Sequence, residues 1–310
     1  MSQLPATWIA ESRFALARPD DVTVAAYRWT LPRPPRAILV VAHGMGEHAR
    51  RYPAALAVLL ESGIDLYGID HRGHGATLAL SRRAPGDFGP GGFPAVVDDL
   101  ASLVNRAKLE NSGLPLLLLG HSMGSFISQA YALDHSSLID GLALVGTTAV
   151  DAVAESAQRE SNLAVALNRA FQPARTPFDW LSSDEVEVDA YIADPLCGFS
   201  LTPDSMISLL SQATRLADPH ALGRIRKGLP LYILAGERDP LVADIGNLDR
   251  LIDRYCAAGL HPALARYRQG RHEILNEVNR TEVVQGLLNW LNQVIEQDRG
   301  HAPLGRVQVE

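Results

Sequence analysis

The sequence predicts an α/β protein built on a mostly parallel sheet. Short apolar runs recur along the chain, the clearest being AILVVA at residues 37–42 and LLLL at 116–119. Continuous runs of this kind are typical of strands that are buried on both faces, as in parallel sheets. Segments with helical spacing of apolar residues separate them. Strands that alternate with helices at this spacing indicate βαβ units.

The first half of the chain supplies most of this pattern. Residues 12–30 alternate apolar and polar side chains around Pro19-Asp20-Asp21, which predicts an antiparallel hairpin. A buried strand follows and ends at Gly44, and Gly63 is placed to cap a helix over residues 52–62. The next predicted elements are a strand at 65–69, a helix at 93–109, a strand at 114–119, a helix at 122–135 and a strand at 141–145.

The alternation then stops and later resumes. From about residue 151 to 222 the pattern predicts helices and no apolar strand, with Leu163, Leu167 and Phe171 on one helical face and a helix start at Thr202-Pro203. A strand at 229–235, a helix ending at 258, a strand at 263–267 and a helix at 281–297 complete the sheet pattern. We therefore expect a core of residues 1–150 and 221–310, with residues 151–220 inserted as a helical cap.

Composition excludes several classes of protein. The 310 residues are 47% hydrophobic and 20% charged, with a formal net charge of −7 and no dense block of Lys or Arg, so nucleic acid is a poor partner. The two cysteines, Cys197 and Cys256, have no metal-like spacing, and reduced thiols are expected. The N-terminus does not resemble a signal peptide, and no apolar run reaches the length of a membrane span. We expect a cytoplasmic protein.

The stretch GHSMG at residues 120–124 carries the strongest chemical signal. It stands between a predicted strand and a predicted helix, as a nucleophile elbow does. In this turn Ser122 occupies a strained position, and Gly120 and Gly124 avoid collisions with the neighbouring elements. The motif alone also fits a serine that merely caps a helix. The hydroxyl becomes a candidate nucleophile only if a base and an orienting acid accompany it.

Two loops supply those groups in the required order. Asp239 follows the strand at 229–235, and His272 follows the last strand. Glu237 is a rival acid, but the shorter Asp239 precedes Pro240, which stiffens its loop. Two backbone amides are candidate oxyanion donors, those of Met45 and Met123.

Five histidines fall between residues 43 and 121. They are His43, His48, His71, His74 and His121. A metal site is a tempting interpretation, but the motif HxxH at 71–74 lacks further ligands and the others lie on separate loops. We therefore expect no metal, and we expect His43, Gly44 and His121 to shape the site.

The chain resembles the monoacylglycerol lipase and lysophospholipase group of α/β-hydrolases, often described as serine aminopeptidase-like. The matching blocks are HGMGEHARRY (43–52), DHRGHG (70–75), GHSMG (120–124), GERDPLV (236–242) and GRHEILNE (270–277). The resemblance implies an α/β-hydrolase fold, Ser122 as nucleophile, Asp239 as acid and His272 as base. Ser125 departs from the pattern, because the family usually has glycine there, and Thr77 replaces a common serine. The region 151–220 matches weakly.

The expected activity is hydrolysis of a carboxylic ester through an acyl-enzyme, without a cofactor. A monoacylglycerol or a lysophospholipid is the favoured substrate class. The alternatives are a small-ester carboxylesterase of broad specificity, a peptidase that holds a free amine with the acidic run at 184–189, and a non-catalytic binding protein. Aromatic residues in the insertion, such as Phe171, Phe178 and Trp180, could contact a membrane or simply pack on the core. Oligomeric state stays open.

Overall fold

The computed structural model describes residues 9–159, 163–243 and 247–298. Its centre is an eight-stranded sheet with the strand order β1-β2-β4-β3-β5-β6-β7-β8. The strands are β1 (Ala10–Ala17), β2 (Thr23–Thr30), β3 (Ala37–Ala42), β4 (Ile64–Ile69), β5 (Leu116–His121), β6 (Gly141–Val145), β7 (Leu231–Gly236) and β8 (Ala263–Tyr267). Every residue of β3, β4, β5, β6 and β7 is buried, as expected for central strands with helices on both faces.

The first two strands form the predicted hairpin. Ala10 pairs with Thr30, and Ala17 pairs with Thr23. Asp21 in the turn has a φ of 61°, in the left-handed region that Asp tolerates better than most residues. The hairpin joins the sheet through the antiparallel pair β2–β4, and every later pair is parallel.

Helices cover both faces of the sheet. Their bounds are α1 (Tyr52–Ala55), α2 (Ala57–Glu61), α3 (Thr77–Ser81), α4 (Gly92–Glu110), α5 (Met123–His135), α6 (Val150–Arg159), α7 (Leu163–Leu167), α8 (Glu185–Ala193), α9 (Pro203–Leu210), α10 (Ala213–Ala217), α11 (Pro219–Leu222), α12 (Pro240–Ala243), α13 (Leu248–Ala257) and α14 (Arg280–Asp298). One core contains residues of α4 and α5, such as Leu100 and Ile127. The other contains residues of α2 and α14, such as Leu59 and Leu287.

The predicted bounds were wrong in a few places. The strands predicted from 114 and 229 begin at Leu116 and Leu231, each directly after a proline. Pro115 and Pro230 have no N–H to donate to a ladder, although their carbonyl oxygens accept from Ile38 and Leu142 (both 2.9 Å). The helix predicted at 52–62 is interrupted at residue 56, where the backbone has φ −102° and ψ 17°. The short helix α3 was not predicted.

In the described part of the chain, the connection between β6 and β7 contains the helices α6 to α11, joined by irregular segments, and no strand. This agrees with the expected pattern from residue 151 onward, whereas the division into a core and a cap stays a prediction. Of the predicted helical face, Leu167 and Phe171 are buried, and the side chain of Leu163 lies outside the described set. In the described ranges, no helix combines the length and hydropathy that crossing a membrane requires.

Candidate active site

The turn at Ser122 joins β5 to α5 and is strained. Ser122 has φ 52° and ψ −120°, outside the regions that L-residues favour. Its two glycines are required by close approach: a Cβ on Gly124 would lie 2.0 Å from the Ala42 carbonyl oxygen. A Cβ on Gly120 would lie 2.4 Å from the carbonyl oxygen of Gly124. The geometry is that of a nucleophile elbow, which presents the serine side chain at the carboxyl end of the sheet.

The predicted acid and base meet directly. Nδ1 of His272 lies 2.8 Å from Oδ2 of Asp239, and both side chains are buried. The other oxygen of Asp239 accepts from the Leu241 amide (2.9 Å), which fixes the carboxylate. Because Asp239 has no proton to give when ionised, Nδ1 is the donor, and Nε2 is free to accept a proton. The rival Glu237 is exposed to solvent.

A cavity of about 360 Å³ contains Ser122, His272 and Met45 in its wall. The wall also includes the polar residues Glu47, His121 and Glu273, and its other large apolar residues come from the segment between β6 and β7. These residues are Leu167, Phe178, Trp180, Leu181, Phe199 and Met206. The Trp180 ring lies against the His272 imidazole, with 4.8 Å between ring centroids. Met123, the other predicted oxyanion donor, is the first residue of α5, where backbone amides have no partner within the helix.

The loop at residues 43–48, here termed the HGMGEH loop, follows β3 and is held by its own side chains. Nδ1 of His43 lies 2.7 Å from the Gly44 carbonyl oxygen, and Nε2 accepts from the His71 amide (3.0 Å). These two bonds require a neutral ring with its proton on Nδ1. Burial lowers the pKa of His43 to about 4, which keeps this tautomer neutral near pH 7.

Glu47 is the central side chain of the HGMGEH loop, and sequence reasoning missed it. Its Oε1 accepts from the Gly44 amide (2.6 Å) and from the Tyr52 hydroxyl (2.8 Å). The same oxygen lies 3.1 Å from Nδ1 of His121, and Oε2 accepts from Arg51 (2.7 Å). Burial alone would raise the pKa of Glu47, but the charge of Arg51 and the bond to His121 outweigh it and hold the pKa well below its usual range.

This buried network reaches the loop that carries the candidate base, His272. Arg51 makes two hydrogen bonds to Glu273, of 2.7 and 2.8 Å. Nε2 of His121 lies 3.4 Å from the carbonyl oxygen of His272. His121 therefore stands between the Glu47 carboxylate and the backbone of His272. One set of charges thus positions the HGMGEH loop, the residue before the elbow serine, and the loop of the candidate base.

Ser125, which stands where the family usually has glycine, holds the turn at Ser122 by a hydrogen bond. Its buried hydroxyl lies 2.6 Å from the Ser122 carbonyl oxygen and 2.7 Å from the Thr147 hydroxyl. Gln129 donates to that same Thr147 hydroxyl (2.9 Å). Since each hydroxyl has one proton, the bonds run from Gln129 through Thr147 and Ser125 to Ser122. Thr147 follows Gly146, where an added Cβ would lie 3.1 Å from the His272 ring. This series of hydrogen bonds therefore connects the turn at Ser122 to the backbone that packs against His272.

The segment between β6 and β7 is pinned over the site at two places. The His272 amide donates to the Trp180 carbonyl oxygen (3.3 Å), and the Glu273 amide donates to that of Leu181 (2.6 Å). On the other side, the carbonyl oxygen of Gly46 accepts from the Tyr191 hydroxyl (2.8 Å) and from the Gly198 amide (3.0 Å). The cavity roof is therefore hydrogen-bonded to the HGMGEH loop and to the loop of the candidate base.

Comparison with known proteins agrees with this geometry. Residues 33–279 match the family described as serine aminopeptidase, S33. The chain belongs to this family. The match covers the HGMGEH loop, the elbow, and the loops of Asp239 and His272, so every predicted site residue lies within it. The chain has the α/β-hydrolase fold that the sequence predicts.

Relatives and solved structures within this fold bear esterase and lipase names. The chain is 28% identical to a monoacylglycerol lipase of Mycolicibacterium smegmatis, over 90% of this chain and 96% of that protein. It is 31% identical to a mouse (Mus musculus) monoglyceride lipase, over 81% of this chain and 84% of the relative. A thermostable carboxyl esterase from Bacillus coagulans, solved with glycerol, superposes with a TM-score of 0.80 at 28% identity, covering 92% of this chain and 99% of the esterase.

The predicted site residues divide into two sets. Ser122, His272, Met45, Gly44 and His121 share the cavity wall. Asp239 lies behind His272, while His43, Gly120, Gly124 and Met123 shape the backbone around the cavity without lining it. Their chemical roles stay predictions. Glu47 and Glu273 were missed, although the spacing GEHARR places Glu47 four residues before Arg51, a detectable ion-pair signal.

Replacing Glu47 by Gln should destabilise the protein in a pH-dependent way. We expect a loss of about 3 kcal/mol of unfolding free energy at pH 7, because Arg51 then keeps a buried charge with one partner fewer. The folded pKa of Glu47 lies well below 4.5, so its charge contributes fully above that pH, and the contribution disappears as the pH falls further. The difference between wild type and Glu47→Gln, measured by urea unfolding, should therefore shrink below pH 4.5.

The exposed Glu296 provides the matched control for this experiment. Glu296→Gln should change the unfolding free energy by about 0.5 kcal/mol or less at every pH. A difference between Glu47→Gln and wild type that grows as the pH falls would contradict the assignment of a depressed pKa to Glu47.

Removing the Ser125 hydroxyl should affect turnover more than substrate binding. Ser125→Ala leaves the Thr147 hydroxyl without its acceptor, and we expect about 1–3 kcal/mol of destabilisation. Loss of the bond to the Ser122 carbonyl should lower kcat on a soluble ester about tenfold, since small misplacements of reacting groups are costly, with KM nearly unchanged. Ser128→Ala is the control, because among the described residues that buried hydroxyl bonds only within its helix, to Gly124 (2.7 Å). Equal kcat in both variants would show that Ser125 does not position the elbow.

Proposed function

We propose that this protein hydrolyses monoacylglycerols, with Ser122 as nucleophile, His272 as base and Asp239 as acid. The chain is a serine ester hydrolase of the serine aminopeptidase S33 family. The observation that carries the proposal is the His272–Asp239 pair at 2.8 Å, whose histidine shares one cavity with the strained elbow serine. The names of relatives such as the M. smegmatis and mouse lipases support the substrate class.

The reaction proceeds in two acyl-transfer steps. His272 accepts the hydroxyl proton of Ser122 through Nε2 while the serine oxygen attacks the ester carbonyl carbon. The tetrahedral intermediate collapses, the C–O bond to glycerol breaks, and His272 returns the proton to the leaving alkoxide. Water then attacks the acyl-enzyme with His272 again as base, which releases a fatty acid and restores Ser122. Asp239 fixes the imidazole tautomer and stabilises the imidazolium formed in each step.

The negative charge on the carbonyl oxygen needs backbone donors, and we assign them to the amides of Met45 and Met123. Met123 is supported by its place at the start of α5, where the helix dipole favours negative charge. Met45 is supported by its place in the cavity wall, on a loop that Glu47 holds through the Gly44 amide (2.6 Å). Each such donor contributes about 3–4 kcal/mol to lowering the barrier.

The apolar wall favours an acyl chain as the occupant of the cavity. We propose that residues 151–220 act as a cap that forms most of this wall, with Leu167, Phe178 and Trp180 as contacts. The peptidase alternative needs a carboxylate to hold a free amine. Two residues of the acidic run have other partners, Asp184 with Arg280 (2.8 Å) and Asp189 with Arg175 (2.6 Å). No residue of the run at 184–189 is among the described residues that line the cavity.

The first test is kcat/KM over monoacylglycerols of increasing chain length. If the cavity holds the acyl chain, each added CH₂ contributes up to about 0.8 kcal/mol, or about fourfold in kcat/KM, until the cavity is full. Ser122→Ala should lose turnover by about 10⁶ and should not react with a fluorophosphonate probe. Ser128→Ala should keep both properties.

Three outcomes separate the alternatives in that experiment. Activity confined to the shortest acyl groups would indicate a small-ester carboxylesterase. Faster cleavage of aminoacyl amides than of any ester would indicate a peptidase. Full turnover in Ser122→Ala after removal of contaminants would contradict the whole assignment.

We further propose that the segment 151–220 contacts lipid surfaces, because it exposes large apolar side chains. Val186 is 75% exposed, Ile207 is 66% exposed and Ile192 is 46% exposed. Full burial of a large apolar side chain in lipid is favourable by about 1.5–3 kcal/mol of transfer free energy. Partial insertion of these residues would therefore stabilise the membrane-bound state.

Changing all three residues, Val186, Ile192 and Ile207, to Ser should weaken binding to phosphatidylcholine vesicles at least about tenfold, which corresponds to partial burial of the three side chains. Hydrolysis of a soluble short-chain ester should not change. Leu109→Ser with Val278→Ser is the control, because these residues are 82% and 68% exposed but lie outside the segment. Equal vesicle binding by both variants would contradict a membrane-contacting role for the segment.

A further inference from the structure

Three potential metal ligands meet where the segment 151–220 contacts the HGMGEH loop. They are His48, from that loop, and Asp194 and Cys197, which follow α8. One ligand atom of each residue lies within 4.8 Å of the other two. Nε2 of His48 is already 2.9 Å from Oδ2 of Asp194. The sequence expectation of no metal considered His48 only together with other histidines, whereas the fold supplies it with ligands from 146 residues further along the chain.

We propose that His48, Asp194 and Cys197 form a Zn²⁺ site that bridges the segment 151–220 and the HGMGEH loop. Zn²⁺ binds imidazole nitrogen, carboxylate oxygen and thiolate sulfur at about 2.0–2.3 Å, so its tetrahedral ligands lie about 3.5 Å apart. Ligand atoms within 4.8 Å of one another reach that spacing by side-chain rotations that shift them by about 1 Å. Water fills the fourth position.

The chemistry of the three ligands selects this ion. Thiolate and imidazole together favour Zn²⁺ over Mg²⁺ or Ca²⁺, which prefer oxygen. On binding, the Cys197 thiol gives its proton to solvent, and the thiolate and the Asp194 carboxylate balance the two charges of the metal.

A second observation points to a missing partner at His48. Its side chain is almost wholly buried, and Nδ1 has no hydrogen-bond partner within the described part of the chain. An unsatisfied polar atom of this kind costs free energy, which a cation would offset by binding Nδ1 itself. The ion has a route from solvent, since the Asp194 side chain is 32% exposed.

The site would act as a tether on the proposed cap. His48 lies three positions after Met45, and Gly198, next to Cys197, is hydrogen-bonded to Gly46 (3.0 Å). A metal at this point joins the cap to the loop that carries a candidate oxyanion donor. Binding of Zn²⁺ therefore stabilises the fold and slows turnover by restraining that loop. This inference does not depend on which ester the enzyme cleaves.

The direct test is titration of the full chain with Zn²⁺ and with Cd²⁺ as a spectroscopic substitute. We expect one Zn²⁺ per chain by competition with a chromophoric chelator, a rise in melting temperature, and an ultraviolet thiolate-to-Cd²⁺ charge-transfer band. Cys197→Ser should abolish the band and weaken Zn²⁺ binding at least about tenfold, the lower limit for loss of even an outer-shell partner. His48→Gln should also weaken binding, with folding checked by circular dichroism.

The chain provides a matched control in Cys256, its only other cysteine, which is exposed. Cys256→Ser should keep the charge-transfer band, the Zn²⁺ affinity and the inhibition by Zn²⁺. A wild type without a band, or a band lost in Cys256→Ser but kept in Cys197→Ser, would overturn the proposal. So would unchanged Zn²⁺ affinity in a folded Cys197→Ser variant.

Discussion

The geometry of the site depends on the contacts of one buried carboxylate, that of Glu47. It accepts hydrogen bonds from Gly44 and Tyr52, pairs with Arg51 and contacts His121. A charge in this position is costly to desolvate, so it is stable only with all its partners in place. The cost therefore makes the arrangement specific, because a displaced HGMGEH loop would leave a buried charge without its hydrogen bonds.

The cavity roof, formed by the segment 151–220, is hydrogen-bonded to the loops that the Glu47 network holds. The carbonyl oxygens of Trp180 and Leu181 accept hydrogen bonds from the amides of His272 and Glu273. The Tyr191 hydroxyl donates to Gly46 in the HGMGEH loop. Movement of the segment 151–220 therefore requires breaking bonds to the HGMGEH loop and to the loop of the candidate base. Substrate entry and the alignment of the proposed catalytic groups are coupled through these contacts, so changes in the roof are expected to alter kcat as well as KM.

Much of the candidate site could be predicted from the sequence, because short local motifs mark its residues. The run LLLLGHSMGS indicates a strand, a tight turn and a helix within ten residues, and this placed Ser122 at an elbow. Asp239 and His272 followed from the order of strands and loops. Glu47 was not found, although its spacing from Arg51 indicates an ion pair, because that spacing does not predict burial. Its contact with His121, and with Glu273 through Arg51, depends on the fold.

The sequence by itself predicted the alternation of strands and helices, the tight turn at Ser122 and the candidate reactive side chains, since these predictions rest on patterns within a few residues and on the order of strands and loops. Only the tertiary structure decided which charges share one buried site, and that Trp180 lies against His272 (4.8 Å). It also decided that His48 lies 2.9 Å from Asp194, which is 146 residues further along the chain. These pairings join residues far apart in the chain, and packing and desolvation select them rather than any local preference of the backbone.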